Sequence, residues 1–412
     1  MSIKLLMQLG KETYQVLEEL SKYSKEGPGV TRLYLTEEHK AAYSYLEKLM
    51  TDIIGLTVEV DNIGNMIGTY TSPEKTNKTI VLGSHQDTVR NGGKYDGAMG
   101  IILPLIALKH CIQNNIPLKY NVKIASFGDE EGVRFATTYL GSKVLAGTFT
   151  SDLLDRKSED GNTLKEELIS FGLDPNKIPE DKLKDDIVGY LEVHIEQGPV
   201  LQHKNLAVGV VNAIQGSHRY TININGMAGH AGTIPMPLRK DAGIGASESM
   251  VELTRYLETI EDIVATFGIV EFLPGSINVI PGEANFTMDI RSLDEKLIKD
   301  TVTKFDQILS DVCNKRGLTY TLTNTNEAPP TTCSDTIIKQ LETSVANVGS
   351  DVFTFPSGAG HDAQEMKNIT DMGMLFVRCK DGISHNPLES VTENDLDIAA
   401  KVVVDFLKNY QV

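Results

Sequence analysis

The chain has 412 residues, 41% of them hydrophobic and 23% charged, with a formal net charge of −17. That length exceeds what one hydrophobic core serves, so two domains are expected, and the composition is that of an ordinary globular protein. The acidic balance argues against a nucleic-acid groove or an anionic membrane surface, both of which need clustered Lys and Arg.

Four scattered cysteines, Cys111, Cys313, Cys333 and Cys379, form no Cys-x-x-Cys pair and predict reduced thiols. Met1–Met7 runs into a charged amphipathic pattern rather than an apolar leader, and no apolar run is long enough to span a bilayer. A soluble, cytoplasmic protein is expected. Residues 11–22 and 37–50 carry helical spacing of apolar positions. Val58–Val60, Met66–Tyr70, Thr79–Leu82 and Val122–Phe127 read as strands, with a helix over Ile101–Gln113. Such alternation predicts an α/β layer with a mainly parallel sheet. Ser151–Asp186 is charged and turn-rich, with weak helical patterning over Leu164–Phe171, and reads as a surface excursion; Ile187–Ile195 returns to strand.

From about Asn212 the texture changes. Tyr220–Asn225 alternates apolar and polar residues as a half-buried strand, Asp241–Thr259 reads as a helix, and Ile263–Phe272 and Ala284–Ile290 read as strands. A helix over Leu293–Asn314 and a strand over Tyr320–Thr325 complete the β-α-β-β-α-β order of a ferredoxin-like α+β unit. After Pro329-Pro330 the larger domain resumes with a helix over Asp335–Val348, a strand over Met374–Val377 and a closing helix over Glu393–Asn409. The expected division is therefore 1–211 and 329–412 for the larger domain, with 212–328 inserted as a smaller one.

Four apolar strands of the larger domain end in residues suited to metal ions. Thr79–Leu82 leads to His85, Asp87 and Asp96; Val122–Phe127 leads to Asp129-Glu130-Glu131-Gly132; the next strand leads to His194-Ile195-Glu196-Gln197-Gly198; Met374–Val377 leads to Gly382-Ile383-Ser384-His385. In an open α/β sheet, active sites form at such strand ends. If strand geometry persists, His85 and Asp87 share a face, and Asp87 can bond the far nitrogen of His85. Three histidines with Asp and Glu give mixed nitrogen and oxygen ligation without thiolate, which suits Zn²⁺ and also Mn²⁺, Co²⁺ or Ni²⁺. Of two adjacent glutamates, one can bind metal while its neighbour acts as general base. No Ser or Cys motif of comparable strength is present, so a metal-activated water is the expected nucleophile.

These motifs, together with Gly229-His230-Ala231-Gly232-Thr233 and Ser357-Gly358-Ala359-Gly360-His361-Asp362, resemble the M20-type dimetal amidohydrolases, hydantoinase/carbamoylase branch. The resemblance implies a mainly parallel-sheet, zinc-exopeptidase-like catalytic domain with an inserted lid and dimerisation domain. It implies two divalent ions, one on His85, Asp96 and His194 and the other on Asp96, Glu131 and His385, with Asp96 bridging. Glu130 would then be the general base and Asp87 would orient His85. His230 would polarise the scissile carbonyl, Arg291 would bind the substrate carboxylate, and Gln197, Asn278 and Gly360 would be further substrate contacts. It also implies a homodimer through the inserted domain, which would close over the larger one.

The implied substrate is a small carboxylate-bearing ureide or amide, an N-carbamoyl-L-amino acid first. Arg219 resembles the ureide-processing members, which makes allantoate or ureidoglycolate the alternative. The runs Pro274–Pro281 and Gly373–Arg378 resemble the carbamoylases more closely. An aminoacylase or dipeptidase, or a metal-binding protein without catalysis on the same fold, are more distant readings. His39, His110 and His203 lie outside every motif and read as surface or helix residues, Arg378 as a solvated strand residue, and His361 as loop support.

Overall fold

The computed structural model describes residues 9–412, so the reading of Met1–Met7 lies outside the described residues. Two compact units are formed, one ending at Asn212 and resuming at Cys333, the other spanning Ala213–Thr332. Strands are numbered here along the chain.

The larger unit is built on a sheet of β1 (Thr57–Val60), β2 (Met66–Tyr70), β3 (Lys78–His85), β4 (Asn121–Phe127), β5 (Asp186–Ile195), β6 (Val208–Ile214), β15 (Thr354–Ser357) and β16 (Met372–Val377), and the two-residue β14 (Thr331–Thr332), at the boundary of the division, pairs with the end of β6. Their order is β1-β2-β4-β3-β5-β16-β6-β14, with β15 also beside β6. The central four, β4-β3-β5-β16, run parallel. β2 joins β4, and β6 joins β16, in antiparallel pairing. From Thr79 to His85, β3 is buried on both faces, which explains its unbroken apolar run. The helix Ala98–Gln113 is buried almost all round along Ala98–Leu108, because it lies between β3 and β5 on one side and the helices Leu9–Leu20 and Glu393–Asn409 on the other.

The excursion over residues 151–186 is more than surface. Thr163 and Glu166 form a capping box for the helix Leu164–Phe171, which fully buries Leu164 and Leu168 in a satellite cluster with Tyr34, Phe135, Leu140 and Val144. One pair of leucines four residues apart is enough to fix a short helix, but too little to stand out in a charged stretch. The seven-residue β6 and the short strands β14 and β15 are absent from the sequence expectation; the two to four residues of β14 and β15 carry no readable period.

The smaller unit contains β7 (Gly216–Asn225), β8 (Gly229–His230), β9 (Ile263–Thr266), β10 (Val270–Leu273), β11 (Val279–Ile280), β12 (Glu283–Ser292) and β13 (Thr319–Ala328). Its sheet is antiparallel in the order β10-β12-β7-β13, with β9 also on β12, and β8 and β11 make a separate ribbon. The helices Ala242–Leu257 and Glu295–Arg316 share a core with Ala284, Phe286, Met288 and Ile290 of β12. The alternate residues of β12, from Glu283 to Arg291, stay partly exposed on the other face. The expected single strand Ile263–Phe272 is two, β9 and β10. Between them Ile269 exchanges hydrogen bonds with Thr287, its N–H reaching the Thr287 hydroxyl at 3.1 Å.

Candidate metal centre

The parallel strands deliver the site. His85 is the last residue of β3 and His194 the penultimate residue of β5; β4 gives way to the turn carrying Glu130 and Glu131, and β16 leads through Lys380–Gly382 to His385. His385 and Gln197 both occupy the left-handed region, with φ of 54° and 57°. Non-glycine residues rarely adopt it, and such strain concentrates at functional sites.

Asp96 is the hub of the cluster. Its Oδ1 lies 3.2 Å from His194 Nε2 and 3.5 Å from His85 Nε2, while its Oδ2 lies 3.4 Å from His385 Nε2. Glu131 Oε1 is also 3.4 Å from His385 Nε2. The two carboxylate oxygens of Asp96 thus serve two donor sets, His85–Asp96–His194 and Asp96–Glu131–His385. The far nitrogens of His85 and His194 each lie 3.0 Å from a backbone carbonyl, of Asp87 and Ile195 respectively. Donating Nδ1–H there leaves a lone pair on Nε2, the tautomer needed in a metal-binding histidine.

The donor set fits divalent ions on spacing as well as chemistry. Ligands about 2.05 Å from a tetrahedral ion stand about 3.3 Å apart, and the four donor separations are 3.2, 3.4, 3.4 and 3.5 Å. Burial opposes the charge on Asp96, but hydrogen bonding to His194, His385 and His85 outweighs it and holds the carboxyl well below its usual range. On His85, burial opposes protonation, while Asp87 and Asp96 carry the imidazole well above its ordinary value. A negative potential that favours protons on these nitrogens favours a cation in their place, and the two compete.

Asp87 does more than face His85. β3 stops at His85, and the Asp87 carboxylate turns toward the neighbouring strand end, where its oxygens accept the backbone N–H groups of Glu130 at 3.1 Å and Glu131 at 3.2 Å. His85 Nδ1 is 3.5 Å from the carboxylate and closer, at 3.0 Å, to the Asp87 carbonyl. Asp87 therefore ties the His85 segment to the Glu130–Glu131 turn. Glu130 is buried, with Oε2 4.0 Å from His85 Nε2. Burial pushes its carboxyl well up; His85 opposes that and Glu131 adds to it.

Several residues of this network carried no motif signal. Arg32 is fully buried and donates through Nε to the Gln86 carbonyl at 2.8 Å, bracing the His85–Thr88 segment. Glu389 is buried beneath the Asp96 loop and accepts the N–H groups of Tyr95 and Asp96. Gln197, expected to touch substrate, donates to Asp96 Oδ2 at 2.8 Å, and its Oε1 has no hydrogen-bond partner among the described residues. Gly360 lies where a Cβ would come within 2.0 Å of the Tyr139 hydroxyl. His361 is buried against the ring of His194, with Nε2 2.9 Å from Ser357 Oγ. His39 is not a surface residue: it is wholly buried among Tyr34, Tyr43 and Phe171, and burial takes its pKa down to about 3. Arg378 is a structural residue, paired at 2.6 and 3.0 Å with the buried Asp395.

In the smaller unit, the remaining expected residues fall into two groups. Arg219 on β7 and Arg291 on β12 converge on Asp289: Arg219 Nε donates at 3.0 Å, and Arg291 donates twice at 2.9 Å. Cross-strand register explains it, since Arg219 is paired with Asp289. His230 is paired with Val279 across the ribbon, and the Ala231 N–H donates to the Asn278 carbonyl, so His230 and Asn278 are neighbours. The Gly232 N–H donates to His230 Nδ1 at 3.1 Å, leaving the ring proton on Nε2.

Residues 81–409 match Peptidase family M20/M25/M40. The chain is 36% identical to a probable allantoate deiminase of Oryza sativa subsp. japonica, over 97% of this chain and 88% of that protein. It is 34% identical to an N-carbamoyl-L-amino-acid amidohydrolase of a Pseudomonas species, over 96% of this chain and 97% of that one. Among solved structures, a hydantoinase/carbamoylase family amidase from Burkholderia multivorans superposes with a TM-score of 0.89 at 31% identity, covering 97% of each chain.

Proposed function

The chain belongs to Peptidase family M20/M25/M40, as an amidohydrolase of the hydantoinase/carbamoylase kind, and we propose that it hydrolyses the carbamoyl C–N bond of N-carbamoyl-L-amino acids. The observation that carries this reading is Glu130, a buried carboxylate 4.0 Å from His85 Nε2 that is not needed by either of the two donor sets sharing Asp96, although it also groups with His85 and Glu131. His85, Asp96 and His194 would hold one divalent ion, and Asp96, Glu131 and His385 the other, with Zn²⁺ or Mn²⁺ favoured by the donor chemistry. Bound there, the two ions supply a water of lowered pKa and polarise the scissile carbonyl.

Glu130 takes the proton of the attacking water and delivers it to the departing nitrogen. The water oxygen bonds to the carbamoyl carbon, the tetrahedral adduct expels one nitrogen as that C–N bond breaks, and the carbamic acid left behind loses its remaining C–N bond, so that the products are the amino acid, ammonia and carbon dioxide. His230, protonated on Nε2, donates to the oxyanion that develops on the carbonyl. Arg291, oriented by Asp289, binds the substrate carboxylate, with Asn278 and Gly360 as further contacts. A homodimer through the smaller unit belongs to the same reading; the exposed Ile269, Val270 and Phe272 on and beside edge strand β10 support it.

A second reading, allantoate amidohydrolase, is favoured by Arg219, which shares Asp289 with Arg291 and offers a second cation for a polar substrate group. Ammonia release from Mn²⁺-, Zn²⁺- and Co²⁺-loaded protein separates the two. N-carbamoyl-L-amino acids should be cleaved in preference to allantoate, ureidoglycolate and N-carbamoyl-β-alanine. Cleavage of none of them under any metal refutes the carbamoyl and ureide assignment together. Arg219→Ala should leave carbamoyl amino acids as substrates; a selective loss on allantoate would favour the second reading.

A further inference from the structure

Glu389 belongs to none of the donor sets, yet it touches the loops of both. Its side chain is 4% exposed, deep beneath the Asp96 turn. Oε1 accepts the backbone N–H groups of Tyr95 at 2.8 Å and Asp96 at 3.0 Å, fixing the peptide from which the shared ligand projects. Oε2 lies 3.2 Å from Ser384 Oγ, whose hydroxyl also approaches Asp96 Oδ2 at 2.6 Å. Ser384 immediately precedes His385. Gln197 adds its amide to the same junction, 2.8 Å from Asp96 Oδ2 and 3.3 Å from Ser384 Oγ. Only glycine at position 93 admits the arrangement, because a Cβ there would lie 2.1 Å from the Glu389 carboxylate.

We infer that Glu389 is a positioning residue: through Ser384 it locks the Asp96 loop to the His385 loop, so that the two half-sites bind cations as one unit. The inference rests on the reading that these donors hold divalent ions. Free rotation of Asp96 would aim one oxygen well and the other badly. With Glu389 gripping its backbone and Ser384 gripping Oδ2, both oxygens keep their directions when the loop breathes. Groups in this outer shell commonly change metal affinity by about 10–100-fold when removed.

The test is equilibrium dialysis against buffered Zn²⁺ and Mn²⁺ with elemental analysis, on wild type, Glu389→Gln, Ser384→Ala and the double variant, with metal-free melting temperatures alongside. In Glu389→Gln one oxygen still accepts from the two N–H groups, but the NH₂ can only donate to Ser384 Oγ and no longer accepts its hydroxyl, so the carboxylate–hydroxyl link is lost. Each single variant should bind the second ion about 10–100-fold more weakly, and the double variant no more weakly than the worse single one, because both break the same link. Unchanged affinity in both single variants overturns the inference. So does a fall in metal-free melting temperature with unchanged affinity, which would make Glu389 a fold residue only. If Glu389→Gln fails to fold, Ser384→Ala decides alone. Wild type binding neither ion would instead overturn the metal reading beneath the inference.

Discussion

Asp87→Asn is the sharpest probe of how the site is held, because it separates the role expected of this carboxylate from the one the geometry gives it. The substitution is isosteric, so the buried position can accept it without a cavity. One oxygen remains to accept either the Glu130 or the Glu131 N–H, while the new NH₂ faces the other donor. A charge-assisted bond is worth about 1.5–3 kcal/mol and an unpaired buried donor costs about 1–3 kcal/mol; the two overlap, so a loss of about 2–4 kcal/mol in unfolding free energy is expected. Displacing Glu130 should lower kcat more than it changes metal content. Urea unfolding, elemental analysis and steady-state kinetics on one preparation read all three. If Asp87 acts only through His85, the variant loses metal in proportion to activity and Glu130-dependent proton transfer is untouched. That result, or an unfolding free energy within about 0.5 kcal/mol of wild type, refutes the bracing of the Glu130–Glu131 turn.

Glu130→Gln should retain both metal ions while turnover falls by about 10²–10⁴-fold, the usual range for a lost general base; retained turnover would remove Glu130 from the mechanism. At Gly97, φ is +64° and a Cβ would lie 2.4 Å from the His85 ring, so Gly97→Ala should weaken metal binding and lower the melting temperature together. Asp289→Asn should raise KM for carboxylate substrates several-fold with less effect on kcat, since Arg219 and Arg291 lose a shared anchor; an unchanged KM would detach Asp289 from substrate binding. Removing metal with a chelator should lower the melting temperature, the stabilisation being about 2.7 kcal/mol at a free metal concentration of 100 Kd; a melting curve indifferent to metal would argue that these donors bind none.

No helix among the described residues is long and apolar enough to cross a membrane. Within the fold, the long periodic elements were readable because burial imposes their pattern. β3 is apolar on both faces, and β12 alternates, for the same physical reason applied to two environments. The breaks are less readable: where Ile263–Phe272 divides, Ile269 meets a side chain of β12, Thr287, which no local window contains.

The sequence by itself determined the chemistry of the centre. Strand ends supply His85, Asp96, Glu130, Glu131, His194 and His385, and donor type and chain order follow from the residues alone. What only the tertiary structure decided is how those donors are aimed. That Asp96 divides its oxygens between two sets, that Asp87 grips the Glu130 turn through backbone N–H groups, and that Asp289 reaches Arg219 across the sheet are contacts between segments tens to hundreds of residues apart. Glu389 meets Asp96 across 293 positions of chain and has no motif of its own. A carboxylate that accepts backbone N–H groups can do so from many places along the sequence, and only folding selects which one.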